Sequence, residues 1–306
     1  MRKNFNKGKE KGPSGDMAFT VRRAAILIDF LMNEALHGIS RNKATDILRH
    51  GGVKVDGQTV TQFNFPLQPG AEVRISRHKR RDGLANPNVK LVYEDRFLAV
   101  VEKSSGILSM QAGARKYSVK QVLDEYFARQ RFKCTAHLVH RLDRDTSGLM
   151  MYAKDTGVQQ ILENRWTELV IDRRYVAVAC GRVERESGTV ASWLKDNKAY
   201  VTYSSPTDNG GKYAVTHFKT LKRSARYSLL EMQLETGRKN QIRVHLKDLG
   251  HPVAGDQKYG NGDDPIGRLA LHAFRLNFFH PVTGEEMRFE TPFPLAFTRL
   301  FEGTEE

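Results

Sequence analysis

HLVHRLDRDTSGLMMYAKD, residues 137–155, crowds two histidines, two arginines and three aspartates into a run that turns apolar from Leu149. The charged half breaks the alternation of its neighbours and reads as a loop, whereas GLMMYA (148–153) reads as a buried strand. Thr146, Ser147 and Gly148 suit the junction. Hydroxyls can bond nearby backbone groups, and glycine relaxes the backbone restriction. A carboxylate held between arginines on a rigid loop can stay ionised at neutral pH, because nearby cations lower its pKa. Such a group is a candidate nucleophile or base; an ion-pair cluster that merely stabilises a loop is the competing reading.

Two further stretches bear on that choice. LETGRKNQIRVHLKDLGHPVAGD (234–256) places Arg238 and Arg243 around a glycine-containing turn between a strand and a helix, with Arg243 and Lys247 spaced to share one helix face. An arginine early in that helix can reach a carboxylate or a phosphate with its forked donors. RRYVAVACG (173–181) sets Tyr175 early in a strand, where it is either a core residue or a platform for a stacked base.

Around these motifs strands and helices alternate from about residue 89. LVYEDRFLAVVEK, LMMYAKD, RRYVAVACG, AVTHFKTL and YSLLEMQLETG have strand character; SVKQVLDEYFARQ and TGVQQILENRW are amphipathic helices. A strand-rich unit of about 200 residues with interspersed helices implies an α+β architecture. Upstream, the pattern is helical from Val21, and Ser40 is an N-cap for a second short helix carrying Ala44, Ile47 and Leu48 inward. Asp56-Gly57 then marks a hairpin and Pro69-Gly70 a turn before one more strand. HKRRDGLANPN (78–88) has the charge, glycine and proline of a linker. Residues 1–18 carry too few apolar groups to offset ordering entropy and read as a disordered basic arm. The expected organisation is an arm (1–18), a small N-terminal domain (19–77), a linker (78–88) and a large domain (89–302).

Composition narrows the partner. The 306 residues hold 49 Lys+Arg against 35 Asp+Glu, a formal charge of +14. Nucleic acid is the first polyanion this excess implies. Cys134 and Cys180 are the only cysteines, which excludes a disulfide framework or a cysteine-rich metal site and fits a reducing compartment. No apolar run approaches the ~20 residues of a membrane span, and the N-terminus has no signal-peptide pattern. A cytoplasmic protein, monomeric by default, is expected.

SRNKATDILRHGGVKVDGQTV, within residues 20–77, resembles the RNA-binding domain typified by small ribosomal protein S-four. The resemblance makes Arg41, Lys43, Arg49 and Lys54 candidate RNA contacts. HRLDRDTSGL, RRYVAV, LETGRKNQIRVHL, GHPVAGDQKYG and LHAFRLNFFHPVTGEEMRFETPFP, in this order, resemble the RluA-type pseudouridine synthases over residues 89–298. That resemblance implies a catalytic domain built on a mixed, mainly antiparallel sheet with flanking helices. It implies isomerisation of specific uridines in structured RNA, with large-subunit ribosomal RNA favoured over transfer RNA. It implies no metal and no cofactor. By the same resemblance Asp143 is the catalytic nucleophile, Arg243 its basic partner and Tyr175 the ring that stacks on a flipped base. Arg141 and Arg238 are expected to hold RNA, Asp145 is expected to be structural, and His140 has a loop-stabilising or a substrate role. Two departures stand out. Asn240 replaces the usual histidine of the third motif, which bears on substrate choice more than on catalysis. EKSSGIL lacks the usual proline after its lysine, which predicts a looser turn. A catalytically silent RNA-binding assembly factor and an N-glycosidase are the alternatives from other classes.

Overall fold

The structure, a computed structural model, describes residues 10–11, 17–49, 52–75, 84–111, 117–130 and 133–302, with only the backbone of residues 10–11, 46 and 49. The basic arm lies mostly outside these residues. Within its range Glu10–Lys11 is a two-residue strand, and Met17 and Ala18 belong to strand β1 (Met17–Thr20). Most of the linker stretch is also outside; of its end, Leu84 packs on the large core.

Helix α1 (Leu27–Phe30) starts later than the periodicity from Val21 predicts and continues as a π-helical turn over Leu31–Ala35. The reason is a competing set of backbone bonds. Val21 N–H donates to Ala71, Ala25–Ile26 pairs with Pro66–Leu67, and Leu27 N–H donates to Phe65, so Val21 and Ala25–Ile26 are already paired in extended form. Helix α2 (Arg41–Arg49) follows, with Ser40 Oγ accepting from Lys43 N–H at 3.3 Å. It buries Ala44 and Leu48 and leaves Arg41 and Lys43 exposed. Strands β2 (Val53–Val55) and β3 (Gln58–Val60) form the expected hairpin. Both turn residues are left-handed, Asp56 at φ 49° and Gly57 at φ 82°, as a tight hairpin turn requires. Strand β4 (Glu72–Ile75) lies between β2 and β1. Val21, Leu27, Leu31, Leu48, Val53 and Val73 are among the residues of a core that this unit keeps to itself.

The larger unit opens with the antiparallel pair β5 (Val89–Glu94) and β6 (Leu98–Lys103). Helix α3 (Val119–Phe127) is capped by Ser118. Strand β7 (Ser147–Ala153) is buried at every residue: Met150 and Tyr152 face α3, while Leu149 and Met151 face α4 (Thr156–Asn164). A strand covered on both faces accounts for the unbroken apolar run. After the short helix α5 (Trp166–Leu169) come β8 (Val170–Cys180), β9 (Ser187–Asp196), β10 (Thr202–Ser205), β11 (Lys212–Arg223) and β12 (Tyr227–Leu234). Helix α6 (Gln241–Asp248), β13 (Leu271–Phe279) and β14 (Glu286–Glu290) complete the frame. The strand order β14-β13-β8-β12-β11-β9-β10 is antiparallel throughout, with β7, β6 and β5 branching from β13.

One crossing positions the site. Ala273 of β13 lies opposite Tyr175 of β8 on one side and, in parallel pairing, opposite Gly148 of β7 on the other. A Cβ at Gly148 would stand 2.2 Å from the Ala273 carbonyl oxygen, and its φ is 121°, so only glycine fits. The loop carrying Asp143 is thereby brought to the Tyr175 end of β8.

The two units meet along an edge. β3 pairs in parallel with β14 through Thr59 and Met287, making the sheet continuous. Gln58 donates to Glu286, Gln62 to Glu290, and the Thr61 hydroxyl to the Arg288 carbonyl. Among the described residues no helix is long and apolar enough to cross a membrane.

Candidate active site

The loop of residues 139–146 is pinned from beneath by the segment 103–109. The Lys103 ammonium, fully buried, donates to the carbonyls of Ser104, Ile107 and Arg144 at 3.0, 2.8 and 2.7 Å. Burial pushes its pKa down to about 7, but three short carbonyl contacts use all three of its protons. Ser105 Oγ donates to the Asp145 carbonyl, Gly106 N–H to that of Arg144, and Ser109 Oγ to that of Leu142. This corrects the looser turn expected from the missing proline. The proline position is Ser104, and its N–H, which a proline lacks, donates to the Asn88 carbonyl at 2.9 Å. At the other end of the loop Ser147 Oγ meets His272 Nδ1 at 2.8 Å and accepts from Arg268 at 3.0 Å.

Within the loop the side chains separate by role. Arg144 and Asp145 form a forked pair at 2.8 and 2.9 Å on the exposed side. His140 Nε2 accepts from the Met151 N–H at 3.0 Å, and its ring lies 5.1 Å from that of Trp166. Burial, then Arg173, pushes its pKa down to about 3, so the ring is neutral with its proton on Nδ1. This is a loop-stabilising contact. Arg141 is exposed at the mouth of the cleft and has no partner among the described residues.

Arg243 reaches the loop from α6. Asn240, immediately before the helix, takes left-handed backbone angles (φ 55°, ψ 18°), a conformation asparagine tolerates better than most residues. Its Oδ1 accepts from Arg243 Nη1 at 3.0 Å, and its Nδ2 donates to the Tyr259 hydroxyl at 3.0 Å. Arg243 Nε and Nη2 grip Asp256 at 2.7 and 2.8 Å. Nη1 also stands 3.5 Å from Asp143 Oδ2, and the guanidinium carbon lies 5.0 Å from the Tyr259 ring centre. Burial alone would lower the pKa of Arg243; the bonds and charge of Asp256, then the charge of Asp143, raise it instead. Asp256 is likewise penalised by burial, yet Arg243 and the N–H groups of Tyr259 and Lys258 hold its carboxyl below the usual range.

Asp143, Arg243, Tyr175, Arg141, Arg238 and Arg173 line one cavity of about 570 Å³. Tyr175 is 7% exposed, and its hydroxyl has no hydrogen-bond partner among the described residues. Burial raises its pKa, Arg173 opposes this and Asp143 adds to it. Arg173 lies over the Trp166 ring at 5.1 Å. Arg238 is held at the rim by donating to the Tyr213 carbonyl at 3.0 Å. The cavity thus joins a carboxyl group, a buried phenol and several guanidinium groups, a set able to hold an anionic ligand and place the carboxyl group against it.

The structure does not bring all the expected RNA contacts to this cavity. Arg41 and Lys43 are exposed on α2; Arg49 closes that helix and its side chain lies outside the described residues. Lys54 is not on a free face. Its ammonium bonds both carboxylate oxygens of Glu285 at 3.0 and 2.9 Å across the contact between the two units. The motifs alone give Asp256 and Lys103 no role: Asp256 lies in GHPVAGDQKYG, which carries the resemblance, and Lys103 in EKSSGIL, where the chain departs from it.

Residues 97–248 match the RNA pseudouridylate synthase family and residues 27–73 the S4 domain. An uncharacterised RNA pseudouridine synthase of Bacillus subtilis is 35% identical over 272 residues, 87% of this chain and 95% of that protein. The ribosomal large subunit pseudouridine synthase D of Neisseria meningitidis is 34% identical over 284 residues, covering 87% and 75%. The solved human RNA pseudouridylate synthase domain containing 1 superposes with a TM-score of 0.57 at 24% identity, over 70% of this chain and 86% of that one. With curated relatives 34% and 35% identical and covered over 75% and 95% of their length, the chain belongs to the RNA pseudouridylate synthase family, with an S4 domain ahead of the synthase domain.

Proposed function

We propose that this enzyme converts specific uridines of large-subunit ribosomal RNA to pseudouridine, using Asp143 as the nucleophile on a uridine turned out of its helix. The substrate follows the name of the Neisseria relative and the RNA-binding character of the S4 domain. The observation that carries the mechanism is the single cavity shared by Asp143, Tyr175 and an Arg243 already locked by Asp256. In the reaction the bond from the base nitrogen to the sugar breaks, the base rotates, a carbon–carbon bond forms through C5, and the C5 proton moves to the freed nitrogen. Atoms and electrons balance within the nucleotide, so any bond that Asp143 forms to it is broken again before the product leaves, and the protein supplies no group to the product.

The base leaves its stack at a cost of a few kcal/mol, recovered by stacking in a pocket. Tyr175 offers the ring for that stack, and its unpartnered hydroxyl is the polar group free to meet the C5 side of the base. Arg243 aims the Asp143 carboxylate, since its own position is fixed by Asp256 and Asn240. Arg141 and Arg238 sit where they can take the flanking phosphates. Residues 19–77 add affinity through Arg41, Lys43 and Arg49, and the protein works as a cytoplasmic monomer. The test is pseudouridine mapping of total RNA from cells carrying the wild type, Asp143→Ala or no copy. The expected result is a site or sites in large-subunit RNA lost equally in the last two, with RNA affinity of Asp143→Ala near wild type. Turnover by Asp143→Ala close to wild type would refute the assignment.

A further inference from the structure

The cleft is bordered by a sheet face that the proposed chemistry does not use. Strands β9, β10 and β11 present one face to α6, where Leu194 and Ala214 pack with Val244 and Tyr259. The other face is open, and the alternation of a strand decides what it carries. Trp193 lies directly opposite Tyr213 on β11 and Ser205 on β10, and Lys195 lies opposite Tyr203. The Trp193 and Tyr213 rings stand 5.3 Å apart, and Tyr203 and Tyr213 are 43% and 46% exposed.

The turn joining β9 to β10 carries a further exposed ring. Tyr200 is 76% exposed, and its φ of 58° is a backbone position that bulky residues rarely adopt. Lys258 and Lys239 both donate to its carbonyl, at 2.9 and 3.3 Å, so two ammonium groups brace this residue, and Lys239 also pairs with Asp196 at 2.7 Å. Lys195 and Lys198 are exposed on the same hairpin and face no carboxylate among the described residues. The patch is continuous with the cleft, because Lys239 lines the cavity and Arg238 bonds the Tyr213 carbonyl. Exposed aromatic rings on an antiparallel sheet, set among lysines, are the arrangement on which unpaired bases stack while the backbone is held electrostatically.

The geometry points to the outer face of β9, β10 and β11 as a stacking platform for unpaired RNA nucleotides next to the target uridine. This rests on the reading of RNA as substrate and adds where the flanking single strand runs and what it stacks on. A paired stem would leave the rings without partners, since its bases are already stacked.

The experiment compares the full-length protein with Tyr203→Ala/Tyr213→Ala and Tyr203→Phe/Tyr213→Phe, using an unpaired oligouridylate and a blunt RNA duplex. Both rings are partly exposed, so neither pair of substitutions removes core. The alanine pair is expected to weaken oligouridylate binding at least about tenfold, from roughly 5- to 150-fold per lost stack. The phenylalanine pair and duplex binding stay near wild type. Photocrosslinking with 4-thiouridine is expected to label peptides within residues 187–213. Oligouridylate affinity unchanged in the alanine pair, or crosslinks confined to the cleft, would overturn the platform. Pseudouridine formation by the wild type is measured alongside. Its absence sinks the proposed reaction, whereas a binding loss in the alanine pair still upholds the platform.

Discussion

Substituting Asp256 by asparagine isolates the charge that fixes Arg243. The asparagine keeps the size of the side chain, and its Oδ1 can still accept the Lys258 and Tyr259 N–H groups at their present 2.9 Å. What is lost is the anion facing Arg243 Nε and Nη2. The Asp256 side chain has no exposed surface and that of Arg243 is 11% exposed, so water cannot take over as partner. Removing one member of a buried pair typically costs 3–5 kcal/mol because the other charge is left uncompensated. With Asp143 still 3.5 Å away as a weaker counterion, roughly 3 kcal/mol is expected, or about 6–12 °C in Tm at 2–4 °C per kcal/mol. Thermal unfolding measures this. Pseudouridine formation below the new transition separates stability from chemistry: the freed guanidinium swings onto Asp143, and kcat falls more than affinity. The double variant Asp256→Leu/Arg243→Met supplies the control, since removing both charges is expected to restore stability above either single variant without restoring activity. Wild-type Tm and kcat in Asp256→Asn would refute the claim that Asp256 holds Arg243 in place.

Acid stability follows from the same carboxyl. Its pKa is lowered in the folded state, so its contribution is complete above the ordinary aspartate value and is lost as pH falls through the lowered one; unfolding scans are expected to show this loss below about pH 4 and to show it reduced in Asp256→Asn. Lys103→Met removes the donor to three carbonyls, of which that of Arg144 keeps the Gly106 N–H; each carbonyl left unpaired costs about 1–3 kcal/mol before relaxation, and the variant is expected to lower both Tm and kcat with little change in RNA affinity. Lys54→Ala breaks a pair whose members are each about 40% exposed, worth within about 1 kcal/mol, and is expected to leave RNA binding and its salt slope unchanged, whereas Arg41→Ala/Lys43→Ala lowers both in a filter-binding titration.

Local signals made most of the elements legible. The Asp56-Gly57 turn, the Ser40 cap and the apolar run after Gly148 each appear as read, because backbone geometry and burial act over a few residues there. Helix α1 starts later than its periodicity implies because the bonds that hold Val21 and Ala25–Ile26 extended come from residues 65–71, far along the chain. The partners within the candidate site were harder for the same reason. Asp143 and Arg243 stand out as charges in unusual places, but nothing near Arg243 in sequence announces that Asp256 takes its fork. Lys103 reads as the last residue of a strand; only the closed fold turns its ammonium under the loop of Asp143. Lys54 reads as a basic group on the hairpin, and only the closed fold shows that its ammonium pairs with Glu285 of the other unit.

The two sides of the site are built independently, and that has a chemical consequence. Asp143 is carried on a loop whose backbone is tied down by Lys103, Ser105, Gly106 and Ser109. Arg243 is fixed by Asp256 and Asn240, so two of its three nitrogens are spent on Asp256 and the third is shared. An arginine free to form a forked pair would close on Asp143, occupy both carboxylate oxygens and bury the proposed nucleophile in a salt bridge. Here the approach stops at a single 3.5 Å contact, and Asp143 Oδ1 makes no bond among the described residues. Asn240 belongs to that restraint. It supplies both the left-handed turn that starts α6 and the acceptor that draws Nη1 back from Asp143. The departure from the usual histidine is therefore accommodated within the arginine's support, and the carboxylate is left steered by a cation without being consumed by it.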